Sequence, residues 1–299
     1  MYLKINGQEI SLEAGASWQD ALDMAPECAA GILPLGVSVL GRTFSLNDPA
    51  QEYAHAHVLT YADEEGRRIY ERSLQMLFIT AASRVCPGAR VRIEHSFGQG
   101  LYITVGENPL DAGTVAALEN EMLRLVELDL PILRRRVTTD RAQEYFRMTG
   151  QTDRLRILNY RQYAYFSLYH IGDGPEDYYY GEMVPSTGYL KVFSMVRYMP
   201  GLVLMQPDAA QPDRPAPFVD LPKLFSVYQE SARWNRILGC ENAADLNDMV
   251  SGHGLREFIR VNEALQERKI EEIADRFIGS GARLLLIAGP SSSGKTTFA

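Results

Sequence analysis

Near one end of the chain, Gly289, Pro290, Ser291, Ser292, Ser293, Gly294, Lys295 and Thr296 spell G-x-x-x-x-G-K-[ST], a spacing that suits a backbone cradle for phosphate oxygens. Gly289 and Gly294 can take backbone angles closed to residues with a Cβ, so successive N–H groups can converge on an anion. Lys295 would add a point charge at β- and γ-phosphates, and the Thr296 hydroxyl would ligate Mg²⁺. Ser291, Ser292, Ser293 and Thr297 would supply further donors. Read as a site, this segment takes ATP and Mg²⁺ as cofactors, with Lys295 stabilising charge on a transferring phosphate.

Such a loop needs a strand before it and a helix after it. Arg283 through Ala288 is a short, almost continuous apolar run, predicted as a strand of a parallel sheet covered on both faces. A phosphoryl-transfer site also needs an acidic residue for the metal, a pocket for the base and neighbouring strands. The few residues after Lys295 cannot hold these. The chain therefore reads as the N-terminal part of a longer enzyme, inactive alone, with a loosely held last stretch.

At 299 residues the chain has room for two or three domains. A net charge of −8 argues against a wholly basic nucleic-acid-binding surface while leaving room for local patches. Cys28, Cys86 and Cys240 are far apart and form neither a disulfide framework nor a metal pair. No apolar h-region opens the sequence, and no stretch approaches the ~20 apolar residues that cross a bilayer. A cytoplasmic location without membrane partners is expected, and nothing in the sequence fixes the oligomeric state.

Residues 1–62 read as a compact β-rich module. A hairpin runs from Tyr2 to Leu12 about a Gly7-Gln8 turn, Ser17 caps a helix over Trp18 to Met24, and strands follow at Val37 to Leu40, Thr43 to Leu46 and His57 to Tyr61. Residues 63–206 read as α+β. Helices are predicted at Arg68 to Arg84, Thr114 to Leu128 and Arg141 to Met148, with a hairpin at Val91 to Val105 and a strand-like, aromatic stretch over 155–206. Residues 207–280 form a linker-like segment with prolines at 207, 212, 215, 217 and 222, then three helices, and 281–299 carry the phosphate loop.

Three segments carry a resemblance: Gly66 to Ser73 followed by Cys86-Pro87-Gly88-Ala89-Arg90-Val91; Val184-Pro185-Ser186-Thr187-Gly188 through Phe193; and Gly289 to Thr297. The first module resembles a ubiquitin-like TGS domain, and the second resembles the editing domain of threonyl- and alanyl-tRNA synthetases. The last segment is similar to the start of an α/β P-loop kinase of the uridine kinase/phosphoribulokinase type. Together they look like a bacterial family of uridine kinase-like nucleoside kinases. That resemblance implies a multi-domain α+β fold and an ATP:nucleoside (uridine) phosphotransferase as the full-length parent, with a nucleoside as substrate.

Editing domains carry an H-x-x-x-H pair on the first helix and a later Cys and His four apart. Here Arg72 and Met76 stand at the first two positions, and Tyr179 and Met183 at the others. Arg cannot bind a divalent cation, and Met and Tyr are poor ligands for a water-activating metal, so neither zinc nor editing chemistry is expected. Arg72 facing the Tyr178-Tyr179-Tyr180 run could bind a base or phosphate; alternatively, the methionines fill the former metal hole. Two other classes stay open: a module that recognises tRNA or another RNA, and a residual aminoacyl-ester hydrolase. Leu133-Arg134-Arg135-Arg136 is the densest basic run, able to touch RNA phosphates or to be consumed in salt bridges. His55 and His57 share a strand face but lack a third ligand, and His95, His170 and His253 are isolated.

Overall fold

A computed structural model describes residues 1–161, 163–252 and 254–298, and the chain divides into two units, Met1–Ala142 with Tyr163–Phe225, and Gln143–Gln162 with Ser226–Ala299. Both units hold helices, and the strands form three sheets, so the protein is α+β and multi-domain. Among the described residues no helix is long and apolar enough to cross a membrane.

The first unit opens with β1 (Tyr2–Ile5), β2 (Gln8–Ser11), α1 (Trp18–Met24), β3 (Gly36–Val39), β4 (Arg42–Phe44) and β5 (His55–Leu59). They make a five-stranded sheet in the order β2-β1-β5-β3-β4, with β1 and β5 parallel. The predicted hairpins form, but their turns lie one residue earlier than read. Asn6-Gly7 and Leu40-Gly41 are the two-residue loops, and all four residues have positive φ, matching the twist of the strands they join. Ser17 and Asp20 close a reciprocal capping box on α1. Trp18 is fully buried beneath the sheet, and its indole Nε1–H finds no acceptor among the described residues.

The rest of the unit is built on α2 (Glu64–Val85) and α3 (Ala112–Glu127), which pack together against a four-stranded antiparallel sheet. That sheet joins β6 (Val91–Phe97), β7 (Gly100–Val105), β11 (Ser194–Tyr198) and β12 (Gly201–Met205) in the order β11-β12-β7-β6. A smaller sheet, β10-β9-β8, comes from β8 (Ile132–Thr138), β9 (Tyr165–Ile171) and β10 (Asp177–Tyr178). The stretch after Pro207 does not hang free as a linker: Ala216 is buried, and Phe218 stacks at 6.1 Å on Phe97 within an aromatic cluster that includes Tyr102, Tyr198 and Phe225.

The second unit is helical, with α4 (Thr139–Met148) entering it, then α5 (Thr152–Leu158), α6 (Pro222–Ile237), α7 (Ala243–Ser251), α8 (Leu255–Gly279) and the short α9 (Lys295–Phe298). The α5 helix corrects the strand-like reading that began at residue 155. Its Arg156 holds Asp245 at 2.8 Å and also pairs with Asp248, so tertiary ion pairs favour the helical turn over the extended state. The strand predicted over 283–288 is absent. Leu284 and Leu286 are 73% and 82% exposed, and no described strand pairs with this run, which leaves its backbone groups without the ladder a strand requires.

Candidate functional site

Arg72 and Met76 lie one turn apart on α2, and Tyr179 and Met183 lie on the segment after β10 that crosses it. Two hydroxyls fasten that segment. Ser73 Oγ donates to Ile69 O at 2.7 Å and accepts from Val184 N at 3.0 Å, and Ser45 Oγ donates to Met183 O at 3.3 Å. The four positions therefore come together, but not as a ligand shell. Met76 and Met183 are buried in the main core, and Tyr179 packs on it from the edge. Arg72 Nε donates to Glu182 O at 3.0 Å, while its Nη2 pairs with Glu65 at 2.8 Å. Its guanidinium lies against Gly181, where a Cβ would come within 2.7 Å of Arg72 Cζ and where φ is +111°. With both sides of its fork engaged, Arg72 is not presented to the Tyr178–Tyr180 run as a free cation.

Around this plug lies a charged network that sequence reading missed. Arg134 reaches Glu182 at 2.5 Å and also binds Asp48, and Tyr169 Oη donates to Gly181 O at 3.0 Å and lies 3.3 Å from Glu182 Oε2. Burial pushes the Glu182 carboxyl up despite Arg134, and burial likewise raises Tyr169. Burial works against the Arg134 charge, yet Glu182 and Asp48 outweigh it and hold that pKa above its ordinary value. The available signal was the arginine in a histidine's place: a cation on a core-facing turn needs carboxylates, and Glu182 is adjacent to Met183. The residues present do not suit a divalent metal, since a guanidinium, two buried thioethers and a phenol offer no imidazole, thiolate or carboxylate trio. Among the described residues no group of three or more His, Cys, Asp or Glu is arranged to hold one.

Two members of the basic run are consumed, Arg134 as above and Arg135 by Glu176 at 2.6 Å. Arg136 instead lies over the ring of Tyr165 at 4.5 Å, with Tyr165 and Tyr163 both more than half exposed. His57 Nε2 stands 3.6 Å from Asp63, His95 stacks on Tyr102, and the His170 ring contacts Gly172 O. His253 lies outside the described residues.

The loop at 289–297 is closed on itself. Lys295 Nζ donates to Gly289 O at 3.0 Å and Pro290 O at 2.6 Å, with Ser293 Oγ at 3.5 Å. Ser292 and Gly294 have φ of 59° and 78°. A Cβ on Gly289 would lie 2.7 Å from Ser293 Oγ, so only glycine fits without displacing that side chain. Thr296 and Thr297 are exposed, and α9 starts at Lys295.

The first unit is α+β, and the chain can be set beside curated proteins that it resembles. Threonine–tRNA ligases are similar to this chain: that of Desulforamulus reducens is 27% identical over 198 residues, 65% of this chain and 31% of its own length. That of Burkholderia lata is 31% identical over 179 residues, covering 57% and 28%, and that of Symbiobacterium thermophilum 27% over 164 residues, covering 54% and 25%. The chain thus spans between a quarter and a third of these relatives. No family model matches it. The homologues are threonine–tRNA ligases, not uridine kinases, and this corrects the reading of the chain as a uridine kinase-like nucleoside phosphotransferase. The physical reason is that a glycine-flanked lysine loop specifies phosphate and says nothing of an acceptor, so it never identified a nucleoside.

Proposed function

We propose that this chain is a tRNA-recognition module related to threonine–tRNA ligases, in which the ester-hydrolysing site of the editing-like domain has become a packed, ion-paired plug. The observation that carries this reading is the match to such ligases over as much as two thirds of the chain. The exposed end of β8 and β9 supports it: Arg136 over Tyr165, with Tyr163 beside them in sequence, offers a cation and π faces on which unpaired bases stack. Mobility shift with bulk tRNA across a salt series is the test. Binding that weakens with salt and drops about tenfold in Arg136→Ala/Tyr165→Ala is expected, since base–aromatic stacking contributes roughly 1–3 kcal/mol. No tRNA binding at low salt would end this reading.

The loop from Gly289 to Thr297 has a second, separate role in this proposal, as a phosphate cradle for ATP. Lys295 sits on Gly289 O and Pro290 O, acceptors that an incoming triphosphate would replace. Titration with Mg²⁺ and a fluorescent ATP analogue should saturate for the parent chain and not for Lys295→Ala. Equal binding by both would remove the loop from any nucleotide site.

A further inference from the structure

A concavity whose lining includes none of the four plugged positions lies in the first unit, with a volume of about 1110 Å³. Pockets for drug-sized molecules run to ~1,000 Å³, so this space takes several side chains at once. Its lips are apolar and open to solvent: Ile32 and Leu33 on one side are 44% and 51% exposed, and Leu123 on α3 is 43% exposed. Three large apolar groups left in water around one cleft mark a contact surface rather than a scatter of surface leucines. The walls carry Tyr61, Tyr70 and Tyr189, whose hydroxyls bond to Pro207 O, Val192 O and Gln19 and so hold the rings still.

Charge decides what could occupy it. Glu127, Asp129 and Asp213 line the cleft against one lysine, Lys191. Asp129 is engaged by Gly188 N at 2.9 Å and by Ser186 Oγ. The Glu127 and Asp213 carboxylates have no hydrogen-bond or ion-pair partner among the described residues. An apolar floor under an excess of unpaired carboxylates repels nucleic acid and other phosphate ligands and attracts a cation on an apolar body.

We propose that this cleft docks a short peptide segment of a partner protein in which lysine or arginine alternates with large aliphatic side chains, the aliphatics entering between Leu33 and Leu123 and the cations meeting Glu127 and Asp213. This goes beyond the tRNA reading and does not depend on it.

The test uses the full chain and a fluorescent hexapeptide of alternating leucine and lysine, with an alternating leucine–glutamate hexapeptide and hexalysine as comparators, all read by anisotropy. Saturable binding of the leucine–lysine peptide is expected, at least about tenfold tighter than either comparator. Glu127→Gln/Asp213→Asn and, separately, Leu33→Ser should each weaken it about tenfold, while Glu267→Gln/Glu271→Gln, with the same change in net charge elsewhere, should not. Circular dichroism confirms that each variant folds. Equal binding of hexalysine, equal loss in the remote charge variant, or no saturation would overturn the proposal. So would displacement of the peptide by tRNA, which would make the cleft an RNA face. A concentration-dependent dimer dissolved by Leu33→Ser would assign it to a second copy and overturn it too. Mobility shift with tRNA on the same variants keeps the two readings apart.

Discussion

Glu182 is the residue on which the plugged site turns. Its carboxyl is held above the ordinary glutamate value by burial, with Arg134, Asp48 and Tyr169 around it. A carboxyl whose folded pKa exceeds its unfolded one binds its proton more tightly in the folded chain. Its contribution is therefore full below the unfolded pKa and is lost as pH rises through the folded one. The difference in Tm, wild type minus Glu182→Gln, should accordingly fall as pH rises above the ordinary glutamate value of about 4.3; a difference that grows with rising pH would contradict the assignment. At this scale the sequence puts no imidazole, thiolate or carboxylate at Arg72, Met76, Tyr179 or Met183. It does not reveal the ion pairs around them, because Glu65 reaches Arg72 two turns along α2 and Arg134 on β8 reaches Glu182 in the segment after β10.

Elements with strong local signals were legible. The Ser17 cap and the long periodic helix α2 lie where capping and spacing put them, and α6, α7 and α8 are the three helices expected after the prolines. Those whose state depends on distant partners were not. The basic strand β8 reads as a surface run until β9 pairs with it along its length, and α5 is held by Arg156 contacts 89 and 92 residues away in sequence. The predicted strand at 283–288 failed in the opposite sense, an apolar run with no described neighbour to pair with. Close backbone approach also hides in the sequence. Gly201 opens β12 where a Cβ would lie 2.1 Å from Ile103 O on β7, so Gly201→Ala must push the two strands apart. Such overpacking costs roughly 1–3 kcal/mol, read as a lower urea midpoint; an unchanged midpoint would show that the sheet yields freely.

For the whole molecule, composition and patterning indicate the multi-domain α+β class, whereas the uridine kinase reading rested on a nine-residue loop and is overturned by matches to threonine–tRNA ligases, one of which runs over 65% of the chain. The loop is the more specific pattern, but it describes a way of holding phosphate, and such a device recurs across unrelated chemistries.

The chain has only two tryptophans, and the fold separates them: Trp18 is enclosed in the first unit, and Trp234 is half-buried in the second. An indole shut away from water with its N–H unbonded emits to the blue of one that meets solvent, so each unit carries its own built-in lamp. Replacing Trp234 by phenylalanine leaves a fluorophore that follows the melting of the first unit alone, and the subtraction from wild type follows the second.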